Sequence, residues 1–205
     1  MLALMTRGSL TWGVTTVDRP VRGRRAGAPL TADDWVRAGL ELLAEEGPDA
    51  LRLGRLCERL AVTKGSFYWH FTDISAYRAT LADAWAARRD QQRRRFAAQR
   101  GTDPVERLQA LMAELVRPEH WPLERAMRAW AMTDEAVADA VRSSDERLLA
   151  EIRRAFVDHG FDEEDAMLRA CLLCNAGLGL LHQPHGGTVA PAPVRARVLD
   201  ILMRR

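Results

Sequence analysis

Lysine is nearly missing from this chain: Lys64 stands alone among thirty basic residues, and all the others are arginine. Usage this uniform makes any single arginine a weak signal and the one lysine a sharper one. Cysteine is scarce as well. Three cysteines, an odd number, suit a reducing cytoplasm better than a disulfide framework. Long apolar runs are absent. The most apolar stretch, Leu172 to Leu181, is far below the roughly 20 residues of a membrane span, and Met1 to Val14 is broken by Arg7 and Gly8, so neither membrane segment nor signal core is expected. Catalytic signatures are also lacking: there is no Gly-x-Ser-x-Gly elbow, no His-Glu-x-x-His and no phosphate-cradling glycine loop, so neither an enzyme nor a cofactor is expected. No internal repeat is visible.

What is present is helical patterning from about residue 31 onward, with 47% hydrophobic residues to supply a core. Thr31 followed by Asp34 has the spacing of a capping box, Val36, Leu40 and Leu43 form an apolar stripe, and Gly47-Pro48 ends that first helix. Leu53, Leu56, Cys57 and Leu60 make a second stripe that stops at Ala61 and Val62. A third short helix over 63 to 70 follows. Thr63 is expected to cap it through its side chain, with Lys64, Ser66, Tyr68 and His70 as donors to phosphates or bases and Gly65 allowing close backbone approach. Phe67 and Phe71, four apart, should turn inward together. Helix, tight turn and exposed helix make a helix-turn-helix module, with Trp69 and Arg52 as further candidate DNA contacts.

Gly47, Leu53, Leu56, Leu60, Val62, Thr63, Gly65, Phe67, Tyr68, His70 and Phe71 together resemble, in type and spacing, the N-terminal pattern of the TetR family of bacterial transcriptional regulators. The resemblance covers roughly residues 31 to 80. Arg52 stands where the family usually has a threonine cap, Ala61 where the turn usually has glycine, and Thr72 and Ile74 where lysines are frequent. The resemblance implies a homodimeric repressor that binds a near-palindromic double-stranded DNA operator and is released by a small-molecule effector, taken here to be apolar.

Charge distribution complicates that picture. The formal net charge is only +2, and residues 31 to 75 hold five bases against eight acids. DNA affinity must then depend on where the bases point. Residues 1 to 29, rich in Gly, Pro, Thr and Arg, read as a disordered basic arm. Arg19, Arg22, Arg24 and Arg25 could follow DNA into the minor groove, or the arm could be an inert product of a mis-assigned start.

The expected division is the arm at 1–29, a helix-turn-helix domain at 30–75 and a helical effector-binding and dimerisation domain at 76–205. Asp73 should cap a long helix over 74 to 99, on which the arginine run from Arg88 to Arg95 reads as a solvated last turn complementing the helix dipole. Further helices are expected at 103–116, 122–132, 134–158, 162–182 and 193–204, so the fold class is all-α. The 162–182 helix is apolar on nearly every side, which points to burial against a second subunit, with Cys174, Gly177, Leu178, Leu181, Val198 and Ile201 at the contact. Trp85, Met112, Trp121, Met127, Trp130, Asn175 and His182 are the candidate effector ligands, although such residues equally fill cores. A competing reading takes Cys171 and Cys174 with His182 and His185 as a metal or redox sensor. Another takes the chain as a helical interaction protein that has lost DNA binding.

Overall fold

The computed structural model describes residues 30–98, 103–115, 117–182 and 192–204. The 1–29 arm and His185 lie outside them. Nine α-helices occur among the described residues, with no strand. The first three are α1 (Ala32–Glu46), α2 (Leu53–Leu60) and α3 (Lys64–Tyr68). The long α4 (Ile74–Ala97) leads into α5 (Pro104–Leu115), α6 (Trp121–Ala131), α7 (Glu135–His159), α8 (Glu163–Leu181) and α9 (Ala192–Leu202). The chain is all-α, with an N-terminal helix-turn-helix joined through α4 to a larger helical body.

Helix starts follow side-chain chemistry closely. Thr31 closes the capping box with Asp34, while Asp73, Asp134 and Asp162 each accept a backbone N–H at the heads of α4, α7 and α8. Helix ends follow backbone sterics. Gly47 at φ 84° and Gly160 at φ 104° take positive dihedrals after α1 and α7. Ala61 takes the same role after α2 at φ 53°, without glycine's freedom.

Two apolar clusters organise the interior. The first joins Trp35, Leu42, Leu43, Leu56, Phe67, Tyr77, Leu81 and Trp85 to Met127, Trp130, Val137 and Val141, so α6 and α7 share a core with the first three helices. The second gathers Phe96, Leu108, Ile152, Phe156, Phe161, Ala170, Leu173 and Leu199 around α5, α7, α8 and α9. Within α1, Gly39 is required by a close approach: a Cβ there would lie 2.0 Å from Oη of Tyr77, whose hydroxyl donates to the Trp35 carbonyl over 2.7 Å.

The α8 helix departs from the all-round burial that its composition suggested. Ala166, Ala170 and Leu173 pack inward, whereas Leu168, Leu172, Asn175 and Gly179 form an exposed stripe. Leu181 is buried within its own chain, so its place at a subunit contact is corrected: solvent is already excluded from it. Cys174 is partly buried against the second cluster, Gly177 and Leu178 are half-buried, and Val198 and Ile201 are exposed on α9.

Candidate functional site

The reading helix is held by aromatic packing. Phe67 is fully buried, with its ring edge-on to Trp35 at 5.3 Å and to Tyr77 at 5.5 Å, and Phe71 packs on Tyr77 at 4.9 Å. Such pairs fix orientation as well as burying area. The opposite side stays in water: Thr63, Lys64, Gly65, Tyr68 and His70 are exposed, Trp69 is 87% exposed, and Ser66 is half-buried. Two expectations about α3 need correction. It spans five residues and gives way to a turn at Trp69 and His70, whose backbone N–H bonds back to Phe67. Thr63 occupies the cap position in extended conformation but makes no side-chain cap bond, and the Ser66 N–H instead donates to the Thr63 carbonyl at 3.1 Å. Its hydroxyl is therefore left on the exposed face.

Ion pairing accounts for the unpromising net charge of this region. Arg37 pairs with Asp34, Arg55 with Glu46 at 2.6 Å and Glu58 at 3.1 Å, and Arg59 with Glu45 at 2.7 Å and Glu41 at 3.5 Å. The Arg59 hydrogen bond holds the Glu45 carboxyl below its usual range. Three of the five bases are thus matched by acids along α1 and α2. Arg52 and Lys64 have no such partner among the described residues, and they stand immediately before α2 and at the first position of α3. Within the described part of these three helices, the cations left for a polyanion are the one that precedes α2 and the one that opens the reading helix. Arg52 makes no side-chain cap bond for α2.

Behind this module lies a cavity of about 450 Å³ between α4, α5, α6 and α7. Its walls include Arg89, Asp90, Arg93 and Phe96 of α4, Leu111 and Glu114 of α5, Glu124 of α6, and Ser144 and Leu148 of α7. Arg117 and His120 close it from the turn before α6. The arginine run is corrected accordingly. Arg88, Arg94 and Arg95 are exposed, but Arg89 and Arg93 turn inward, with side chains 15% and 22% exposed. Buried carboxylates draw them in: Arg89 Nε lies 3.7 Å from Glu124, and Arg93 faces Asp90 at 3.5 Å and Glu151 at 3.6 Å.

The effector candidates chosen from sequence lie elsewhere. Met127 and Trp130 fill the first core, Met112 packs on the second, Trp121 is buried, and Asn175 and His182 sit on the exposed side of α8. Only Trp85 comes near, lining a small cleft of about 40 Å³ that Arg89, His120 and Glu124 also border. Large apolar side chains close-pack against one another and leave the remaining space to polar walls. The legible clue was Arg89 and Arg93 one helical turn apart ahead of Phe96, with Glu124 inside an otherwise amphipathic helix.

The cysteine reading gains no geometry. Burial, with Cys171 and Asp145 nearby, pushes the Cys174 thiol up to about 12, which keeps it protonated at neutral pH. His182 Nδ1 lies 2.9 Å from the Leu178 carbonyl. No group of three or more His, Cys, Asp and Glu among the described residues is arranged to hold a metal ion. No described helix is long and apolar enough to cross a membrane.

Comparison with known proteins agrees with this geometry. Residues 36–76 match the model of the bacterial regulatory proteins of the tetR family. The chain is 44% identical over 52 residues to the class A tetracycline repressor protein from transposon 1721 of Escherichia coli, covering 25% of this chain and 24% of that one. It is 36% identical over 70 residues to the transcriptional regulator AcuR of Cereibacter sphaeroides, covering 33% and 32%. These matches span only about a quarter to a third of each relative. The fold is shared much further. A transcriptional regulator from Rhodococcus sp. Rha1 superposes with a TM-score of 0.67 at 20% identity, over 85% of this chain and 94% of the other. A TetR-family transcriptional regulator from Mesorhizobium loti gives 0.66 at 17% identity, over 84% and 92%. Residues 36–76 thus carry the N-terminal module of the tetR family of bacterial regulatory proteins, and the fold of such regulators is shared along most of the chain.

Proposed function

We propose that this protein is a homodimeric, ligand-responsive transcriptional repressor. The observation that carries this reading is the segregation of charge in the first three helices, which leaves Arg52 and Lys64 free beside the exposed Thr63, Tyr68, Trp69 and His70. Lys64 and Arg52 would engage phosphates, and Tyr68, Trp69 and His70 base edges and sugars. Two copies of α3 would enter successive major grooves of a near-palindromic operator, about 34 to 36 Å apart.

Dimerisation would use the exposed apolar surface of α8 and α9. Leu168, Leu172, Val194 and Ile201 are each about half exposed, a cost that a second copy packing in four-helix fashion would remove. Gly177 and Gly179 have open space beyond them, which suits close helix approach. The tetracycline repressor proteins matched through the N-terminal module bear names consistent with repression in response to a small molecule.

Signal would pass from the cavity along two routes. The α4 helix carries Arg89 and Arg93 at the cavity and is capped by Asp73, two residues after Phe71. The α6 helix carries Glu124 at the cavity and places Met127 and Trp130 in the core shared with α1. A ligand preferring one arrangement of these helices would shift the spacing of the reading heads by population shift. Selecting genomic fragments on the purified protein tests the reading: recovery of a shared near-palindromic sequence supports it, and recovery of unrelated DNA in proportion to length contradicts it.

A further inference from the structure

The carboxylates and the guanidinium groups on the cavity wall differ in how closely they are paired. Glu124 Oε1 accepts from the Trp85 indole at 3.0 Å and its Oε2 from Arg128 at 3.4 Å. Asp90 accepts from Arg147 at 3.0 Å, and Glu114 is paired with Arg117 at 2.9 Å. The carboxylates on the wall are therefore engaged. The guanidinium groups between them are held only by long ion pairs, and the Nε–H of both Arg89 and Arg93 is enclosed by protein without a hydrogen-bond partner. Their nearest carboxylate oxygens sit at 3.5 to 3.7 Å. That is beyond good hydrogen-bond length.

Buried donors left unmade are costly, and the two side chains that carry them also border the cavity. Arg89 and Arg93 lie one turn apart on α4, so both can approach one group from the same side. Guanidinium favours planar oxyanions because its N–H groups meet two oxygens at once. The remaining wall is apolar where Phe96, Leu111 and Leu148 stand. Arg89, Arg93, Arg95 and Arg117 stand on the wall with Asp90, Glu114 and Glu124. An uncharged apolar effector would leave these donors unpaired.

We propose that the cavity binds an organic oxyanion, a carboxylate on a small apolar body, with its acid group on Arg89 and Arg93 and its body against Phe96, Leu111 and Leu148. This rests on the ligand-responsive reading above and replaces the apolar effector expected from sequence with an acidic one. Binding would draw Arg89 away from Glu124, the residue that ties α6 to α4.

The experiment uses the full chain and matched acid and amide pairs: benzoate with benzamide, 4-phenylbutyrate with 4-phenylbutyramide, and hexanoate with hexanamide. Tryptophan fluorescence and thermal shift report binding, and a selected DNA fragment reports release. At least one acid should bind and its amide should bind at least tenfold more weakly. Arg89→Gln and Arg93→Gln should each weaken that acid at least tenfold, whereas Arg94→Gln, which changes charge equally on the exposed side of α4, should not. Arg89→Lys guards against misfolding, since it keeps the charge opposite Glu124 while losing the fork, and it should weaken binding by an intermediate amount. Equal binding of acid and amide overturns the proposal, as does silence of all three pairs or full acid binding by a folded Arg89→Gln protein. An acid that binds through Arg89 without releasing DNA supports the cavity assignment and contradicts the regulatory reading instead.

Discussion

The indole Nε1 of Trp85 donates to Oε1 of Glu124 across 3.0 Å in the buried interior, joining the middle of α4 to the first turn of α6. The same carboxylate faces Arg89 at 3.7 Å and Arg128 at 3.4 Å, and Arg128 continues to Asp145 of α7 at 2.8 Å. Three helices thus meet through one acid at the cavity wall. Removing one partner of a buried, charge-assisted bond costs more than the bond's net worth, because the acceptor has already lost its water.

Trp85→Phe keeps an aromatic ring but deletes the donor. It should lower unfolding free energy by about 1 to 3 kcal/mol in urea titration. Unchanged stability would mean that the Trp85 bond contributes nothing to the junction.

Gly39→Ala should be more damaging than its size suggests. The added methyl would meet the Tyr77 hydroxyl and disturb its bond to the Trp35 carbonyl. A loss of about 1 to 3 kcal/mol is expected, with a lower melting temperature and weaker DNA binding. Wild-type behaviour would show that α1 and α4 can separate freely.

The two departures from the family pattern beside α2 should separate stability from DNA affinity. Ala61→Gly relieves the left-handed backbone at φ 53° and should stabilise by about 1 kcal/mol without changing DNA affinity. Arg52→Thr should add a cap worth about 1 kcal/mol while weakening DNA binding through loss of a free cation. If Arg52→Thr raises stability with no loss of affinity, Arg52 does not touch DNA.

Leu172→Glu places a charge in the exposed stripe of α8, where the native side chain is 53% exposed. The variant should fold and sediment as a monomer. A normal dimer would move the interface off this face.

How far the sequence could be read followed from how local the physics was. Helix starts at Thr31, Asp73, Asp134 and Asp162 depend on residues three apart, and these boundaries fell within about two residues of expectation. Phe67 and Phe71 turned inward as their spacing implied. The cavity was not local. Its walls come from four helices, and arginines that look solvated in a helical pattern are drawn inward by Glu124 and Glu151, far away in sequence. Asn175 misled for a related reason: its apolar neighbours suggested burial, yet it lies on the stripe left exposed. Gly39 gave no signal, since only the arrival of Tyr77 from α4 makes its missing side chain necessary.

The most direct measurement is the salt dependence of binding to a selected DNA fragment for Lys64→Ala, Arg52→Ala, Arg55→Ala and Arg59→Ala, each first confirmed as folded. A side chain that neutralises one phosphate contributes about 0.9 to the slope of log affinity against log salt, so deleting it should flatten the line by that amount. Lys64→Ala and Arg52→Ala should each show this flattening, while Arg55→Ala and Arg59→Ala, whose charges are matched by Glu46, Glu58 and Glu45, should keep the wild-type slope. Equal slopes in all four variants, or a flattening confined to Arg55→Ala and Arg59→Ala, would contradict a DNA-reading surface built on Arg52 and the helix from Lys64 to Tyr68.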